Sequence, residues 1–222
     1  MLAADRPLRR DAEHNRQRIL SAAREVFAAR GLDVSLDEIA HHAGLGVGTV
    51  YRRFPSREHL VEALFEDRLD QLAAWAEQAL ADVDPWNGLQ GFIERATEAM
   101  TADRGLTDVL FSRTYGRDHV EQARTRLDPL IGALVERARN AGSLRADLEA
   151  VDLILIQFMI GALIEYTEQV DPGLWRRYLA LVLDGLRSVP GQAAVPRVAP
   201  TAEALSTIAR KWKPPRRSGS PD

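Results

Sequence analysis

The chain has 222 residues, with 29 basic and 32 acidic side chains and no cysteine. This length is enough to bury a hydrophobic core without disulfides or metals, and the lack of cysteine excludes thiolate nucleophiles, cysteine-ligated zinc and iron–sulfur clusters. The first ten residues include three arginines but no apolar stretch, and Asp152 and Gln157 interrupt the longest apolar run, residues 151–164. We therefore expect neither a secretory signal nor a membrane span, and a cytoplasmic location.

The net charge of −3 hides an uneven distribution along the chain. Residues 1–60 hold ten arginines against eight acids, which gives +2. Residues 61–188 hold thirteen basic against twenty-two acidic side chains, which gives −9, and residues 189–222 hold six against two, which gives +4. A basic head on an acidic body suggests that the head binds phosphate groups.

Helical periodicity dominates the first eighty residues. It predicts helices over residues 12–30, 36–43 and 47–54, and Gly31 and Gly44 end the first two. Ser35 followed by Glu38 has the spacing of a capping box at the start of the second helix. A fourth helix, from Ser56 to about Ala81, would be roughly 37 Å long at 1.5 Å per residue, long enough to connect two domains.

Further helices are predicted in the rest of the chain, and no alternating stretch is long enough for a convincing strand. Pro129 should kink or split one of them, and Asp171 with Pro172 should begin the last long one. The fold class is therefore all-α. Six of the eleven prolines fall in the last 33 residues, which predicts a Pro-rich and mostly disordered tail. The predicted segments are 85–102, 106–115, 118–141, 148–169 and 172–189, with a short helix at 202–212.

The second and third predicted helices have the residues that a tight crossing needs. Ala40 is small where two helices approach, Gly44 tolerates a positive φ in the turn, and Leu45, Val50 and Phe54 are apolar anchors on the second helix. This is the pattern of a helix-turn-helix, in which the second helix enters the DNA major groove. An ordinary αα-corner without a ligand has the same pattern and remains open.

Residues 16–64, above all 36–40 and 48–60, resemble the N-terminal domain of the TetR/AcrR family of transcriptional regulators. The resemblance implies a three-helix helix-turn-helix domain at 1–55 and a helical effector-binding and dimerisation domain at 56–189, and the Pro-rich basic tail at 190–222 follows them. It further implies a ligand-responsive homodimer, usually a repressor, with double-stranded DNA and a small-molecule effector as partners. In such a dimer two recognition helices lie about 34–36 Å apart, which predicts a pseudo-palindromic operator.

The same resemblance assigns roles to residues of the third helix. Tyr51 stands where the family typically contacts a backbone phosphate, although an aromatic packed at the helix edge is the alternative. Thr49 resembles a contact to phosphate or to a thymine methyl, and Arg57 resembles a phosphate contact at the start of the fourth helix. Arg52 and Arg53 are candidates for bidentate binding to guanine, with solvated surface charge as the alternative.

The chain departs from the family pattern at the start of its recognition helix. Polar base-reading residues are usual there, whereas this chain has Gly46, Val47 and Gly48. Val47 and Gly48 are included in the predicted DNA-binding surface, but neither side chain can form a hydrogen bond with a base, so they contribute little direct readout of the sequence. Specificity is therefore hypothesised to depend on Thr49, Arg52 and a Val47–thymine contact, with DNA shape contributing. The arginines at positions 6, 9 and 10 form either a minor-groove arm or plain surface charge.

The acidic body offers candidates for an effector cavity. They are large aromatic side chains, together with two polar residues within an otherwise apolar helix that need a partner, a ligand or solvent. A packed core, or a solvent-facing stripe for the two polar residues, is the alternative for each. The predicted ligand-binding residues are Trp86, Phe92, Phe111, Tyr115, Gln157, Phe158 and Glu165.

Enzymatic functions find little support. The sequence has no Gly-rich phosphate loop, no Gly-x-Ser-x-Gly and no His-Glu-x-x-His motif. Glu38 and His42 share a helix face, but two candidates do not make a metal site. We therefore predict no catalytic residue, no metal and no cofactor, and leave an all-α enzyme as the least favoured alternative. A constitutive architectural DNA-binding protein without an effector is the other alternative.

Overall fold

The computed structural model describes residues 5–31, 34–102 and 117–211. This part of the chain is helical, as predicted. The helix predicted at 106–115 and residues 212–222 of the predicted tail lie outside the described residues. The described helices are α1 (Asp5–Arg30), α2 (Leu36–His42), α3 (Val47–Arg53), α4 (Arg57–Leu80), α5 (Pro85–Ala102), α6 (Arg117–Asn140), α7 (Ala150–Thr167), α8 (Leu174–Leu186) and α9 (Ala202–Lys211).

The N-terminal head is built by α1, α2, α3 and the first half of α4 around one core. Each helix contributes the apolar stripe that its periodicity predicts. Ile19 of α1, Ile39 of α2, Val50 of α3 and Leu60 of α4 are completely buried at the centre. The head therefore presents its charged residues outward from a rigid apolar interior.

The fourth helix connects the head to the body, as its length predicts. Leu64 packs in the core of the head, whereas Ala76 packs in the core of the body. Between them, Asp67 forms ion pairs with two arginines of α1: Arg24, and Arg16 at 3.9 Å. Since α4 has 24 residues, its ends lie about 36 Å apart.

The body packs α4 against α5 and α6, and α7 against α8 and α5. Gly88 allows α5 to approach the end of α4, because a Cβ at this position would overlap the carbonyl oxygen of Ala79. On the other side, the Arg137 guanidinium of α6 donates to the carbonyl oxygens of Ala79 and Asp82. The last turn of α4 is thereby fixed by both neighbouring helices.

Two predictions concern prolines. Pro129 does not split α6, since the helix continues from Arg117 to Asn140, and the buried Leu127 and Ile131 on either side keep it on the core. The prediction for Pro172 is wrong. Helix α8 begins at Leu174, not at Pro172. The Asp171 carboxylate accepts a hydrogen bond from the Gly173 backbone amide at 3.0 Å, and this turn delays the start of the helix.

Among the described residues, α7 is the one helix long and apolar enough to cross a membrane. It is nevertheless part of the body, because Leu153, Ile160 and Ile164 are buried in the same core as α5 and α8. Phe158 is buried as well, and the other apolar residues of α7 are half-buried or exposed. The apolar composition of α7 therefore serves one packed face and leaves further apolar side chains at the surface.

Candidate nucleic-acid interface

The turn between α2 and α3 is fixed by local hydrogen bonds. Ser35 caps α2 by accepting from the Glu38 amide at 3.2 Å, and the Glu38 carboxylate accepts from the Ser35 amide at 3.1 Å. At the other end, Gly44 has φ of +63°, and the Leu45 amide donates back to the Ala40 carbonyl at 2.9 Å. The predicted capping box and left-handed turn are both confirmed.

A long-range contact holds the same turn against α1. The Arg18 guanidinium donates to the carbonyl oxygens of Ala43 at 2.7 Å and of Gly44 at 3.4 Å. A Cβ on residue 44 would lie only 3.3 Å from Arg18 Nη2. Gly44 is therefore favoured by its left-handed backbone conformation, and a Cβ at this position would also crowd the Arg18 guanidinium.

Helix α3 has one buried and one exposed face. Val50 and Phe54 are buried in the head, and Leu45 packs partly against the same core. Of the α3 residues predicted to contact DNA, all are exposed except Thr49, which is half-buried. These exposed residues are Val47, Gly48, Tyr51, Arg52 and Arg53. Arg57 is half-buried at the first residue of α4.

Tyr51 is 45% exposed and its hydroxyl group faces α2. The negative charge of the Asp37 carboxylate on α2, together with its interaction with this hydroxyl, raises the pKa of Tyr51 above its usual value. A phosphate group that contacts Tyr51 therefore has to share or replace this partner. The contact joins residues on two different helices, so helical periodicity alone did not indicate it.

The two arginines of α3 have different surroundings. Arg53 Nη2 lies 3.9 Å from a carboxylate oxygen of Glu13 on α1. Arg52 is exposed and forms no ion pair with the described residues. Arg52 is therefore the arginine of this helix that can reach a base without breaking an ion pair within the described head.

Within the described part of the head, His42 and Glu38 each have a partner other than a metal ion. His42 Nε2 lies 2.8 Å from a carboxylate oxygen of Glu25 on α1, and this contact lowers the pKa of Glu25. The carboxylate of Glu38, the other candidate, accepts hydrogen bonds from the Ser35 backbone amide and, at 3.0 Å, from the Arg30 guanidinium. No group of three metal-binding side chains occurs among the residues described.

The predicted effector residues of the body lie in different surroundings. Trp86 and Phe92 are part of the main core, and the indole nitrogen of Trp86 donates to Gln90 at 2.8 Å. Phe158 is also buried. Phe111 and Tyr115 lie outside the described residues.

The two polar candidates on α7 do not share an environment. The Gln157 side chain accepts from the Thr97 hydroxyl at 3.1 Å and donates to the Ile93 carbonyl at 3.3 Å, so α5 satisfies it. Glu165 is exposed. A separation of eight residues turns a helix by about 80° beyond two full turns, which is enough to separate an inward from an outward position.

Together, the buried anchors and the exposed face of α3 define a helix-turn-helix protein with a separate helical body. Residues 19–64 match the family model for bacterial regulatory proteins of the tetR family. Residues 84–188 match the model for the C-terminal domain of SbtR-like transcriptional regulators.

Individual relatives agree with these two matches. The HTH-type transcriptional regulator SrpR of Pseudomonas putida is 30% identical over 203 residues, 85% of this chain and 83% of SrpR. The TetR transcription regulatory protein of Mycobacterium vanbaalenii has a TM-score of 0.63 and 34% identity, over 82% of this chain and 99% of that one. The regulator SAR0097 of Staphylococcus aureus (strain MRSA252) is 37% identical over 36% of this chain, which spans only 44% of its length.

The chain therefore belongs to the TetR family: it is a DNA-binding transcriptional regulator and not an enzyme.

Proposed function

We propose that the chain is a cytoplasmic, homodimeric repressor that binds a pseudo-palindromic operator through α3 and is released by a small-molecule effector. The observation that carries this proposal is the outward face of α3, where Tyr51 and Arg52 are exposed while Val50 anchors the helix from behind. A rigid helix with an exposed arginine and tyrosine is suited to phosphate contacts and to base contacts in the major groove.

A surface on the body supports the dimer. Helices α7 and α8 pack against each other, and each also carries large apolar side chains on the outside. Met159 and Tyr166 of α7 and Tyr178 and Leu181 of α8 are all exposed. An apolar surface of this kind usually marks a protein interface. Pairing it with the same surface of a second copy gives a twofold dimer with two heads.

Selection of bound duplexes from a random DNA pool tests operator binding. We expect an inverted repeat whose half-sites are separated by about one helical turn, 34–36 Å. Raising the salt concentration should weaken binding linearly on logarithmic axes, since arginine–phosphate contacts release counterions. A pool without any enriched sequence would contradict the operator.

Arg52→Ala tests whether Arg52 reads a base. We expect loss of discrimination at one position of each half-site, about 1–3 kcal/mol for a bidentate guanine contact. Arg95→Ala, on the exposed side of α5, is the matched control and should leave the selected sequence unchanged. If Arg52→Ala weakened all sequences equally, Arg52 would be a phosphate contact only.

The effector is tested by thermal-shift screening against a metabolite library, followed by operator release. A compound that raises the melting temperature and also weakens DNA binding is the expected result, because binding free energies of two coupled ligands are reciprocal. Failure of every compound to do both would favour the architectural DNA-binding protein without an effector.

A further inference from the structure

The chain continues beyond α8 as a segment that is fastened to the body at its start. The Asp147 carboxylate accepts from the Val195 amide at 2.7 Å and is paired with Arg145 Nε at 2.5 Å. Arg145 also donates to the Ala193 carbonyl at 3.1 Å, and Gln192 donates to the Arg187 carbonyl at 2.9 Å. Residues 192–195 therefore have a fixed position beside the end of α8 and the loop between α6 and α7.

This position is at the end of the body away from α3. Leu144, just after α6, pairs with Arg187 at the end of α8, and Arg137 in the last turn of α6 contacts the C-terminal end of α4. The opposite end of α4 is in the head, about 36 Å away by its 24 residues. The segment thus starts far from the recognition helix of its own protomer.

The part of the segment beyond Val195 carries apolar side chains that its own body does not cover. Val198 is 94% exposed, and Ile208 on α9 is also exposed. Residues 196–211 are basic as well, with three basic side chains and one acidic side chain, whereas residues 61–188 have a net charge of −9. The segment also lies beyond residue 188, where the match to the C-terminal family model ends.

We propose that residues 196–211 are an arm that packs against the body of a second copy of this chain and thereby strengthens the dimer. The arm leaves from the end of α8, the helix on which Tyr178 and Leu181 of the exposed apolar surface lie. Its positive charge matches the acidic body of a partner, and its exposed valine and isoleucine gain a cover there. This proposal rests on the dimer proposed above.

The test is the dimer dissociation constant of the full chain, measured by sedimentation velocity over a dilution series. The double variant Val198→Asp with Ile208→Asp should weaken the dimer at least tenfold, because each substitution occurs twice in a twofold assembly. Val83→Asp is the matched control, since Val83 is a 96% exposed valine in the turn between α4 and α5. It should leave the constant unchanged, and circular dichroism should show all variants folded.

A variant at the fastening point gives a second measurement. Asp147→Asn removes the charge that pairs with Arg145 and weakens the acceptor of the Val195 amide. It should also weaken the dimer, although less than the double variant, because the arm loses its fixed starting direction but keeps its apolar side chains. If the dimer dissociation constant were unchanged in both the double variant and Asp147→Asn, the proposed arm would be wrong.

Leu181→Asp separates the failure of the arm from failure of the dimer itself. Leu181 is 58% exposed on α8, so the substitution should leave the fold intact and dissociate the dimer. If the Leu181→Asp chain still sediments as a dimer, the proposed α7–α8 interface is wrong. If Leu181→Asp dissociates the dimer and the arm variants do not, the arm alone is wrong and its side chains face another partner.

Discussion

Tyr51 and Arg52 are neighbours on α3 but have different roles in the free protein. The Asp37 carboxylate interacts with the Tyr51 hydroxyl and raises its pKa, whereas Arg52 is exposed and has no ion pair with the described residues. In the proposed complex with DNA, a phosphate group would therefore compete with Asp37 at Tyr51, and Arg52 would gain a partner. The sequence predicted that both residues contact DNA, and it did not show that their surroundings differ.

Asp37→Asn should strengthen operator binding by a few fold. The substitution removes a negative charge beside the DNA-facing surface and leaves the Tyr51 hydroxyl with a weaker competing acceptor. Fluorescence anisotropy with the selected operator measures the change, and NMR titration should show the pKa of Tyr51 closer to its ordinary value. Glu77→Gln, an equal change of charge at an exposed position of α4, should have little effect. Weaker binding by Asp37→Asn would show that Asp37 organises the site.

Gly48→Ala should stabilise the head and weaken operator binding. Gly48 is exposed within α3, and a Cβ there would meet no heavy atom within 4 Å. Alanine is favoured over glycine inside a helix by about 1 kcal/mol, so the fold gives no reason for glycine. A close approach of α3 to DNA does give one.

Urea unfolding and operator affinity measure the two effects of Gly48→Ala. Gly132→Ala on α6 is the control, since that position is also open, and it should raise stability without a change in affinity. If Gly48→Ala raised stability and left operator affinity unchanged, position 48 would not approach the DNA.

At the scale of helices, α4 connects head and body and is fixed at both ends. Asp67 pairs with Arg24 and Arg16 near the head, and Arg137 holds the last carbonyl groups in the body. These contacts join residues 43 or more positions apart along the chain. A ligand in the body that moved α4 would therefore also move its contacts with α1 in the head.

Gly88→Ala should destabilise the body by about 1–3 kcal/mol or more, as overpacking in a tight contact does. The new methyl group would overlap the Ala79 carbonyl oxygen, a backbone atom that cannot rotate away. Gly91→Ala, one turn further along the same helix, would meet nothing within 4 Å and should be neutral or stabilising by up to about 1 kcal/mol. Urea unfolding compares the two. Equal effects would mean that α5 shifts freely away from α4.

At the scale of the whole molecule, acid should loosen the attachment of the C-terminal segment. The Arg145 guanidinium and the Val195 amide hold the pKa of Asp147 well below its ordinary value. A lowered pKa in the folded state contributes stability above the unfolded value, about 3.9, and this contribution is lost as the pH falls through and below it.

Stability between about pH 5 and 2 should therefore decrease less steeply in Asp147→Asn than in the unsubstituted chain. Urea unfolding at a series of pH values measures the slope. Asp184→Asn, on the exposed side of α8, should retain the original slope. Identical slopes in all three proteins would show that the attachment does not contribute to stability.

Local signals in the sequence determined most of the head. The Ser35–Glu38 capping box, the left-handed Gly44 turn and the buried Val50 depend on neighbours within a few residues, and such neighbours can be seen in a sequence. The start of α8 was misplaced because the turn at Asp171 competes with the signal of Pro172.

Only the tertiary structure decided which polar groups meet. Gln157 is satisfied by Thr97, 60 positions earlier, and Asp147 by Val195, 48 positions later. A helix has a period that reveals its apolar face, but the partner of a side chain on another helix depends on how the helices pack. The sequence therefore determined an all-α regulator with an exposed recognition helix, and the packing decided how that helix is braced and where the C-terminal segment begins.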